Sequence, residues 1–325
     1  MIQTLMSKNI YLEEEGISGS PIYYQPWWLD IVCKKGGWDV SLHLSKEGKI
    51  LGVLPYFITS IFGMKVIRTP PFTPTLGVWL DYSNCSDRNV NRYGFEMETI
   101  TALVKQLPEV ASYHQIHPFQ FQNWLPFYWR GFEQTTRYTY VLEDLDLETV
   151  WRGMKDKLRN TIKKAEREGV FVRVDDDLEK LLKVCRDTFQ RQGLNSPYES
   201  QIQKSLHHEI QARQQGKIYS AVDEKGNTHA GMYLIWDEET AYCWMLGANT
   251  ELRSSGAVQL LLLHAIQEAS QFVKKFNFEG SMLPHIEPVF RAFGAERKPI
   301  FQIRKFRNPL FKLMWWLLNG RSQKV

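Results

Sequence analysis

A turn between an apolar segment and a helix-forming segment has the composition of a phosphate-binding site. The sequence LGANTELRSSGAVQLLLLHAI places Arg253, Ser254, Ser255, Gly256 and Ala257 directly before a run with helical character. The first N–H groups of a helix have no partner within it and lie at the positive end of its dipole, so they can bind an anion. The turn therefore predicts a cradle for a phosphate-bearing cofactor. The alternative is a plain connecting turn, in which Gly and Ser are common.

A carboxylate at the end of a short strand-like segment is the candidate for proton transfer. The segment FNFEG contains Glu279 and Gly280 at its end. A partly desolvated carboxylate at the end of a strand can accept a proton from a nucleophile. Glu279 is therefore our candidate general base. Alternatively, Glu279 caps the following helix or orients a substrate by hydrogen bonding. Tyr198 and Tyr242 are candidate general acids, with packing as the alternative for each.

Other catalytic signatures are missing from the sequence. It contains no GxSxG, GxGxxG or GxxxxGK[ST] motif, so a serine hydrolase, a dinucleotide fingerprint and a P-loop lack support. The four cysteines lie far apart, and the histidines of His114-x-x-His117 and His207-His208 have no accompanying Cys or carboxylate pattern. We therefore predict no disulfide framework, no metal site and no permanently bound cofactor.

Positive charge is concentrated in two segments of a chain whose net charge is only +4. Residues 151–173 carry eight Lys or Arg against three acids, and residues 291–325 carry nine against one. Such asymmetry predicts an anionic partner for one face, either a phosphate-bearing cofactor, a nucleic acid or an acidic membrane. Solvated helix faces are the alternative for both segments.

The second basic segment contains a short apolar run. In FRNPLFKLMWWLLNGRSQK, Pro309 precedes the run, Trp315 and Trp316 lie within it, and basic residues flank it over positions 304–324. The run is too short to span a bilayer but suits a position at an anionic membrane surface. Packing against the first domain is the alternative.

Length and composition predict a soluble protein of about two domains. The 325 residues are 43% hydrophobic and 23% charged, and the beginning of the sequence lacks a basic segment followed by an apolar run. We expect a cytoplasmic protein that lies peripherally at the inner face of the plasma membrane.

Elements of two kinds must position these residues. The first half contains strand-like runs, including the hairpin WDVSLHL and ILGVLPYFI, whereas residues 146–169 predict one amphipathic helix. A strand, two helices, a meander of three strands, a buried helix, and a final strand–helix–strand unit follow. We place domain boundaries to give residues 1–145, 146–306 and a basic, aromatic tail of 307–325.

This order of elements resembles the GNAT acyltransferase fold. The segments KLRNTIKKAEREGVFV (157–172) and FNFEGSMLPHIEPVFRAFGAE (276–296), together with YYQPWW (23–28), are similar to the FemAB-like and BioF2-like acetyltransferase family. The resemblance implies an α/β (α+β) chain of two tandem GNAT-like domains, each a mixed, mostly antiparallel twisted sheet flanked by helices. It also implies a degenerate first domain that binds the acceptor and a second domain that transfers the acyl group.

The resemblance also assigns roles to individual residues. Arg253 to Ala257 resemble a pyrophosphate loop, although Val258 stands where the family has Gly or Ala. Arg291 replaces a catalytic lysine, and because arginine stays protonated its implied role is electrostatic. The implied substrate-binding residues are Trp27, Trp28, Phe290 and Ser281.

The function implied is transfer of an acyl or aminoacyl group to an amine of a cell-envelope sugar or peptide precursor. The co-substrate is acyl-CoA or, as an alternative, aminoacyl-tRNA, and the acceptor is a small or lipid-linked molecule. A non-catalytic protein of the same fold that binds an anionic envelope intermediate is the competing hypothesis. Arg291 and Val258 favour that competitor, whereas Glu279 and Gly256 favour an enzyme.

Overall fold

The computed structural model describes residues 2–14, 19–83, 85, 88–191, 200–280 and 282–319. Within these residues the helices are α1 Ile2–Glu13, α2 Pro26–Val32, α3 Asn89–Lys105, α4 Leu125–Tyr128, α5 Leu147–Gly153, α6 Asp156–Arg167, α7 Leu178–Arg191, α8 Ser200–Ala212, α9 Ala257–Ala269, α10 Glu287–Ala292 and α11 Pro309–Asn319. The strands are β1 Gly37–Leu44, β2 Ile50–Ile61, β3 Met64–Arg68, β4 Trp79–Leu80, β5 Ser112–Ile116, β6 Glu133–Leu142, β7 Phe171–Val174, β8 Gly216–Val222, β9 Thr228–Trp236, β10 Thr240–Ala248, β11 Lys275–Asn277 and β12 Glu296–Phe306.

The chain forms two compact units. The first contains residues 1–137 and 299–325, and the second contains residues 138–298. The chain enters the second unit within β6 and returns to the first within β12. The domain boundaries predicted from the sequence are after residues 145 and 306, with residues 307–325 as a separate tail.

The strands of the first unit are paired in the order β1-β2-β3-β5-β12, with β4 on β2. Only β3 and β5 run parallel. The β1–β2 hairpin was predicted from sequence, and Ser45 Oγ accepts hydrogen bonds from two backbone N–H groups of its turn. The core contains residues of α3 such as Ile100 and Leu103, packed with Tyr113 and Phe127.

The strands of the second unit are paired in the order β6-β11-β10-β9-β8-β7. Here only β10 and β11 run parallel. Helix α9 is the centre of the core, since Leu261, Leu262, Ala265 and Ile266 are all fully buried. This burial explains why the helix is apolar almost all round.

The prediction of one continuous helix over residues 146–169 is wrong. Helix α5 ends at Gly153, and Met154 takes extended dihedrals before α6 begins. The break has a tertiary cause, because Lys155 N donates to Ala292 O (3.0 Å) and a Cβ on Gly294 would lie 2.9 Å from the carbonyl oxygen of Gly153. A backbone contact with the segment after α10 therefore replaces one turn of helix.

Candidate functional site

The predicted phosphate turn joins β10 to α9 in the second unit. Residues Arg253–Ser255 form a 3-10 turn, and Gly256 follows at φ +80° as the N-cap residue of α9. The side chain of Arg253 is exposed, and Ser255 Oγ accepts a long hydrogen bond from Ala257 N at 3.4 Å. A glycine N-cap has no side chain that could cover the helix N-terminus. An anion cradle requires such an open N-terminus. The assignment of residues 253–257, Ser254 included, to a cofactor stays a prediction.

Gly256 also has a packing role. A Cβ at this position would lie 2.8 Å from the carbonyl oxygen of Thr161 and 3.3 Å from Cβ of Ala165, both in α6. The positive φ adds to the strain that any other residue would cause. A substitution of Gly256 therefore disturbs the packing of α6 as well as the approach of an anion, and it cannot isolate either effect.

The turn and the carboxylate follow two neighbouring parallel strands, β10 and β11. The two strands pair in parallel over only three positions, Thr240 to Tyr242 with Lys275 to Asn277. Beyond Tyr242, β10 continues to Ala248 with no β11 partner in its described pairing, and its register with β9 shifts between Cys243 and Met245. Since the two strands run parallel, the turn after β10 and the residues after β11 both follow the carboxyl ends of adjacent strands.

Glu279 lies in a strained backbone segment directly after β11. Its φ is +60°, and the following Gly280 has φ +52°. A Cβ on Gly280 would lie 2.3 Å from the carbonyl oxygen of Tyr138, so the segment runs close against β6. Left-handed non-glycine residues are costly and cluster at functional sites. Glu279 is half-buried, as the sequence predicts for a partly desolvated base, and its backbone strain is visible only in the structure.

Two buried polar side chains hold this strained segment. The Thr139 hydroxyl donates to Asn277 Oδ1 at 2.7 Å, and the backbone N–H of Glu279 donates to the same oxygen at 2.9 Å. Thr139 and Asn277 are both buried. Sequence analysis missed them, although an Asn two residues before a strand-end Glu is a known turn-forming arrangement.

The charge of Glu279 reaches the neighbouring strand β10. Burial raises the pKa of the Cys243 thiol, and the negative charge of Glu279 raises it further. Burial also raises the pKa of Tyr242 well above its ordinary value, and Asp237, which accepts a hydrogen bond from the phenol at 2.6 Å, adds to this. The role of Tyr242 as a general acid stays a prediction.

Arg291 already has a carboxylate partner. Its guanidinium donates two hydrogen bonds to Glu287, at 2.7 and 3.3 Å, and the Tyr140 hydroxyl donates to the same carboxylate at 2.6 Å. The bonds from Arg291 and then from Tyr140 lower the pKa of Glu287. Phe290 packs in the core of the second unit, with its ring 5.2 Å from that of Phe278. To bind a negatively charged substrate group, the guanidinium of Arg291 would have to do so while it is paired with the Glu287 carboxylate.

The remaining predicted residues differ in their surroundings. Trp28 is fully buried in the first unit, where its indole N–H donates to Thr73 Oγ1 at 3.0 Å, so it serves the core. Trp27 is partly exposed and packs against Trp28. Tyr198 and Ser281 lie outside the residues that the structure describes.

The first unit contains a pocket of about 370 Å³ that sequence analysis did not identify. Aromatic side chains, including Trp79, Phe119 and Phe121, line it together with a polar group. In that group the buried carboxylate of Glu96 accepts hydrogen bonds from Tyr82, Arg92 and Asn123. Its residues come from segments that are separated along the chain, so no local motif marks them. Apolar walls with a few fixed polar groups are typical of a small-molecule site.

The described part of the chain offers neither a metal site nor a membrane-spanning helix. No group of three or more His, Cys, Asp or Glu residues there could hold a metal ion. None of the described helices combines the length and the apolar character of a transmembrane segment. Helix α6 buries Leu158, Ile162 and Ala165 and exposes Lys157, Lys163, Lys164 and Arg167 to solvent.

Comparison with known proteins agrees with the topology of the second unit. Residues 152–278 match the acetyltransferase (GNAT) domain family. The crystal structure of FemX matches with a TM-score of 0.65 at 10% identity, over 96% of this chain and 98% of FemX. This chain has a FemAB-like tandem GNAT fold. The predicted fold class is therefore confirmed, with mixed, mostly antiparallel sheets flanked by helices.

Two further solved structures match this chain over almost their whole length. L-PGS from Bacillus licheniformis matches with a TM-score of 0.52 at 13% identity, over 97% of this chain and 96% of that protein. A tandem GNAT protein from the clavulanic acid biosynthesis pathway matches with a TM-score of 0.51 at 13% identity, over 92% and 94%. No curated protein matches the chain by sequence. The chain thus has the fold of GNAT acyltransferases.

Proposed function

We propose that this protein is an N-acyltransferase that moves an acyl or aminoacyl group from an activated carrier to an amine of a cell-envelope sugar or peptide precursor. One relationship carries the proposal. The uncapped N-terminus of α9 and the carboxylate of Glu279 follow two adjacent parallel strands, so they face one edge of the sheet of the second unit. That edge combines an anion cradle with a base.

The donor that best fits this edge is a coenzyme A thioester. The N–H groups at the start of α9, with Arg253 beside them, would bind the pyrophosphate. Within the described residues, β10 is no longer paired with β11 beyond Tyr242. The backbone groups on that side of β10 would form strand-like hydrogen bonds with the arm of the thioester. An aminoacyl-tRNA would instead place its phosphates on the exposed cations of α6, and it remains the alternative donor.

Glu279 would serve as the general base in the transfer. The amine nitrogen attacks the carbonyl carbon of the thioester, and its proton passes to the Glu279 carboxylate. The oxyanion collapses, the carbon–sulfur bond breaks, and the leaving thiolate takes up the proton that Glu279 received, which restores the carboxylate. The hydrogen bond from Glu279 N to Asn277 fixes the backbone of the proposed base next to β11, so less of the backbone has to be ordered during the reaction.

Acceptor recognition is proposed for the first unit. Its pocket of about 370 Å³ combines the rings of Trp79, Phe119 and Phe121 with amide and charged groups. Flat apolar rings beside hydrogen-bonding groups suit a sugar ring, which has apolar faces and polar edges. The half-exposed Trp27 is the second aromatic candidate for acceptor binding, whereas Trp28 is removed from the surface by its burial.

We also propose a peripheral position at the inner face of the plasma membrane. Helix α11 is anchored through Phe311, which is buried and packs 5.9 Å from Phe62, ring centre to ring centre. Five other apolar side chains of the helix are more than half exposed, namely Leu310, Leu313, Trp316, Leu317 and Leu318. An exposed apolar helix face in a basic segment suits the interface of an anionic bilayer.

A non-catalytic binding protein is the second candidate, and the ion pair of Arg291 favours it. The cation expected to stabilise negative charge is paired with Glu287 instead. A single ligand screen separates the two candidates. Acyl-CoA thioesters, aminoacyl-tRNA and nucleotide sugars are each added to the full chain, and the melting temperature is measured, since a ligand of the native state raises it.

An enzyme is expected to be stabilised by both a donor and an acceptor and to form the N-acylated product when both are present. A binding protein is expected to be stabilised by the acceptor alone. The transferase would be contradicted if acceptors stabilise the chain but no N-acylated product forms with any donor.

A further inference from the structure

Three basic side chains form a row across adjacent strands of the first unit. In the parallel pairing of β3 with β5, Arg68 lies opposite His114, and in the antiparallel pairing of β5 with β12, His114 lies opposite Arg304. Residues opposite each other on neighbouring strands project from the same face of the sheet, with Cβ atoms about 5 Å apart. The three residues come from distant parts of the sequence, so the row exists only in the folded chain.

The row lines a pocket of about 270 Å³ whose roof is helix α11. The roof consists of Phe311 and Trp315, which are stacked on each other with ring centroids 6.1 Å apart. Ser112 and Gln302 add polar groups to the wall. The pocket thus joins a cationic floor to an aromatic roof.

The positive charge of the floor is only partly neutralised. Arg304 donates to Glu133 at 2.8 Å, whereas Arg68 has no carboxylate partner among the described residues. The side-chain atom Nε2 of His114 is buried and has no hydrogen-bond partner within the described chain. Arg68 and Arg304 lie on either side of His114, and their positive charges repel each other across the pocket. An anion bound between the two guanidinium groups would offset this repulsion and would accept a hydrogen bond from His114 Nε2.

The titration of His114 agrees with an unfilled cationic environment. Burial, followed by the charges of three arginines, lowers its pKa to about 4. The three are Arg68, Arg304 and Arg137. An anion in the pocket would oppose all of these charges at once, because it would lie among them.

The roof helix indicates which kind of anion fits. The same α11 that covers the pocket with Trp315 exposes Trp316 and Leu317 to solvent, at 67% and 60% of their surface. A free phosphate would use the floor and leave these side chains without a function. An anionic lipid has a phosphate for the floor and acyl chains for the exposed apolar side of the helix.

We propose that the pocket formed by Arg68, His114 and Arg304 binds the phosphate of an anionic glycerophospholipid, with the glycerol passing Trp315 and the acyl chains lying along α11 in the bilayer. The inference rests on the peripheral membrane position proposed above and adds a defined lipid site to it. It makes no use of the acyl-transfer reaction.

The test compares Arg68→Gln with Lys46→Gln in the full chain. Both remove one positive charge from the first unit, but Lys46 is exposed in the β1–β2 turn and lies outside the pocket. Calorimetric titrations use dihexanoylphosphatidylglycerol below its micellar concentration, dihexanoylphosphatidylcholine and inorganic phosphate. Co-sedimentation with phosphatidylcholine vesicles, with and without phosphatidylglycerol, is measured in parallel, and melting curves verify that the variants fold.

We expect the soluble anionic lipid to bind the wild type, and Arg68→Gln to weaken it about tenfold or more, because a charge-assisted hydrogen bond is lost. Lys46→Gln should leave this affinity unchanged, and inorganic phosphate should bind more weakly than the lipid. Equal affinities in Arg68→Gln and Lys46→Gln would overturn the site, even if the wild type sediments with vesicles. Inorganic phosphate that binds as tightly as the lipid would overturn the lipid assignment, as would the absence of any binding.

These outcomes are independent of the proposed reaction, since no acyl donor is present. If the wild type binds vesicles and Arg68→Gln binds them equally well, the lipid pocket is refuted and the proposed membrane position stands. If the wild type does not bind vesicles, the membrane position is refuted. The proposed reaction can then still be tested by measuring product formation from a soluble acceptor.

Discussion

The side-chain oxygen of Asn277 accepts a hydrogen bond from the backbone N–H of Glu279, with 2.9 Å between the two atoms. The same oxygen accepts the hydroxyl proton of Thr139. This arrangement supports the left-handed conformation of Glu279, a half-buried residue that follows β11. The proposed base is therefore attached to the sheet through a buried polar pair.

Glu279→Gln is expected to lower kcat by about 10²-fold or more, because the amide keeps the size of the side chain but cannot accept the proton. The rate of N-acylation at saturating donor and acceptor is the measurement. Glu251→Gln, an exposed carboxylate in the loop after β10, is the matched control and should retain wild-type turnover. A Glu279→Gln variant with an unchanged rate and pH profile would leave this residue a structural role.

Asn277→Ala is expected to reduce kcat while the KM of the donor stays near its wild-type value, because Asn277 positions the base and does not touch the cradle. It also leaves Glu279 N and the Thr139 hydroxyl without their acceptor, which costs about 1–3 kcal/mol of unfolding free energy. Steady-state kinetics and urea unfolding are measured on the same preparation. Asn277→Asp, which keeps an acceptor oxygen, should restore part of the stability. A purely structural role would instead lower stability without changing kcat of the folded fraction.

Arg253→Gln is expected to weaken binding of coenzyme A thioesters about tenfold, because an exposed cation beside the N-terminus of α9 would no longer neutralise the pyrophosphate. Its affinity should also depend less on salt than that of the wild type. Arg152→Gln, which removes an exposed arginine of α5, serves as the control. Equal affinities in the two variants would argue against the cradle. Gly256→Val is unsuitable for this test because of its contact with Thr161.

Phe311→Ala and Trp316→Ala are expected to separate the two faces of α11. Removal of the buried ring of Phe311 should lower stability by about 3–5 kcal/mol, as is usual for a buried aromatic residue. Trp316 is exposed, so its loss should leave the melting temperature unchanged and weaken sedimentation with anionic vesicles. Thermal melts and vesicle sedimentation measure the two effects. Full vesicle binding by Trp316→Ala together with Leu317→Ala would exclude the exposed face as the membrane contact.

His114 is expected to make the protein less stable as the pH falls from about 6.5 towards 4. Its pKa is about 4 in the folded state, lowered mainly by burial, so in this range the unfolded chain binds a proton that the native chain does not. The free energy of unfolding then rises with pH across this window and no longer changes through His114 above it. Urea unfolding of the wild type and His114→Gln at several pH values gives the difference. Parallel curves for the two proteins would show that His114 does not contribute.

Local patterns in the sequence determined much of the second unit. The meander of β8, β9 and β10, the turn at residues 253–256 and the buried helix α9 all follow from alternating or all-round apolar residues and from Gly and Ser at the turn. These features depend on neighbours within a few positions, so the sequence predicts them directly. Resemblance to the FemAB-like proteins then supplied the fold class, which the structural comparison confirms.

Contacts between distant segments decided the rest. The helix predicted over residues 146–169 breaks at Met154 because the backbone near Ala292 binds there. Trp27 and Trp28 are neighbours of one type, yet only Trp28 is fully buried, because Thr73 receives its indole N–H. The row of Arg68, His114 and Arg304 depends on strand order and register, which long-range pairing sets. Such pairing is a property of the packed chain, since a shift of one residue would turn each side chain to the opposite face of the sheet.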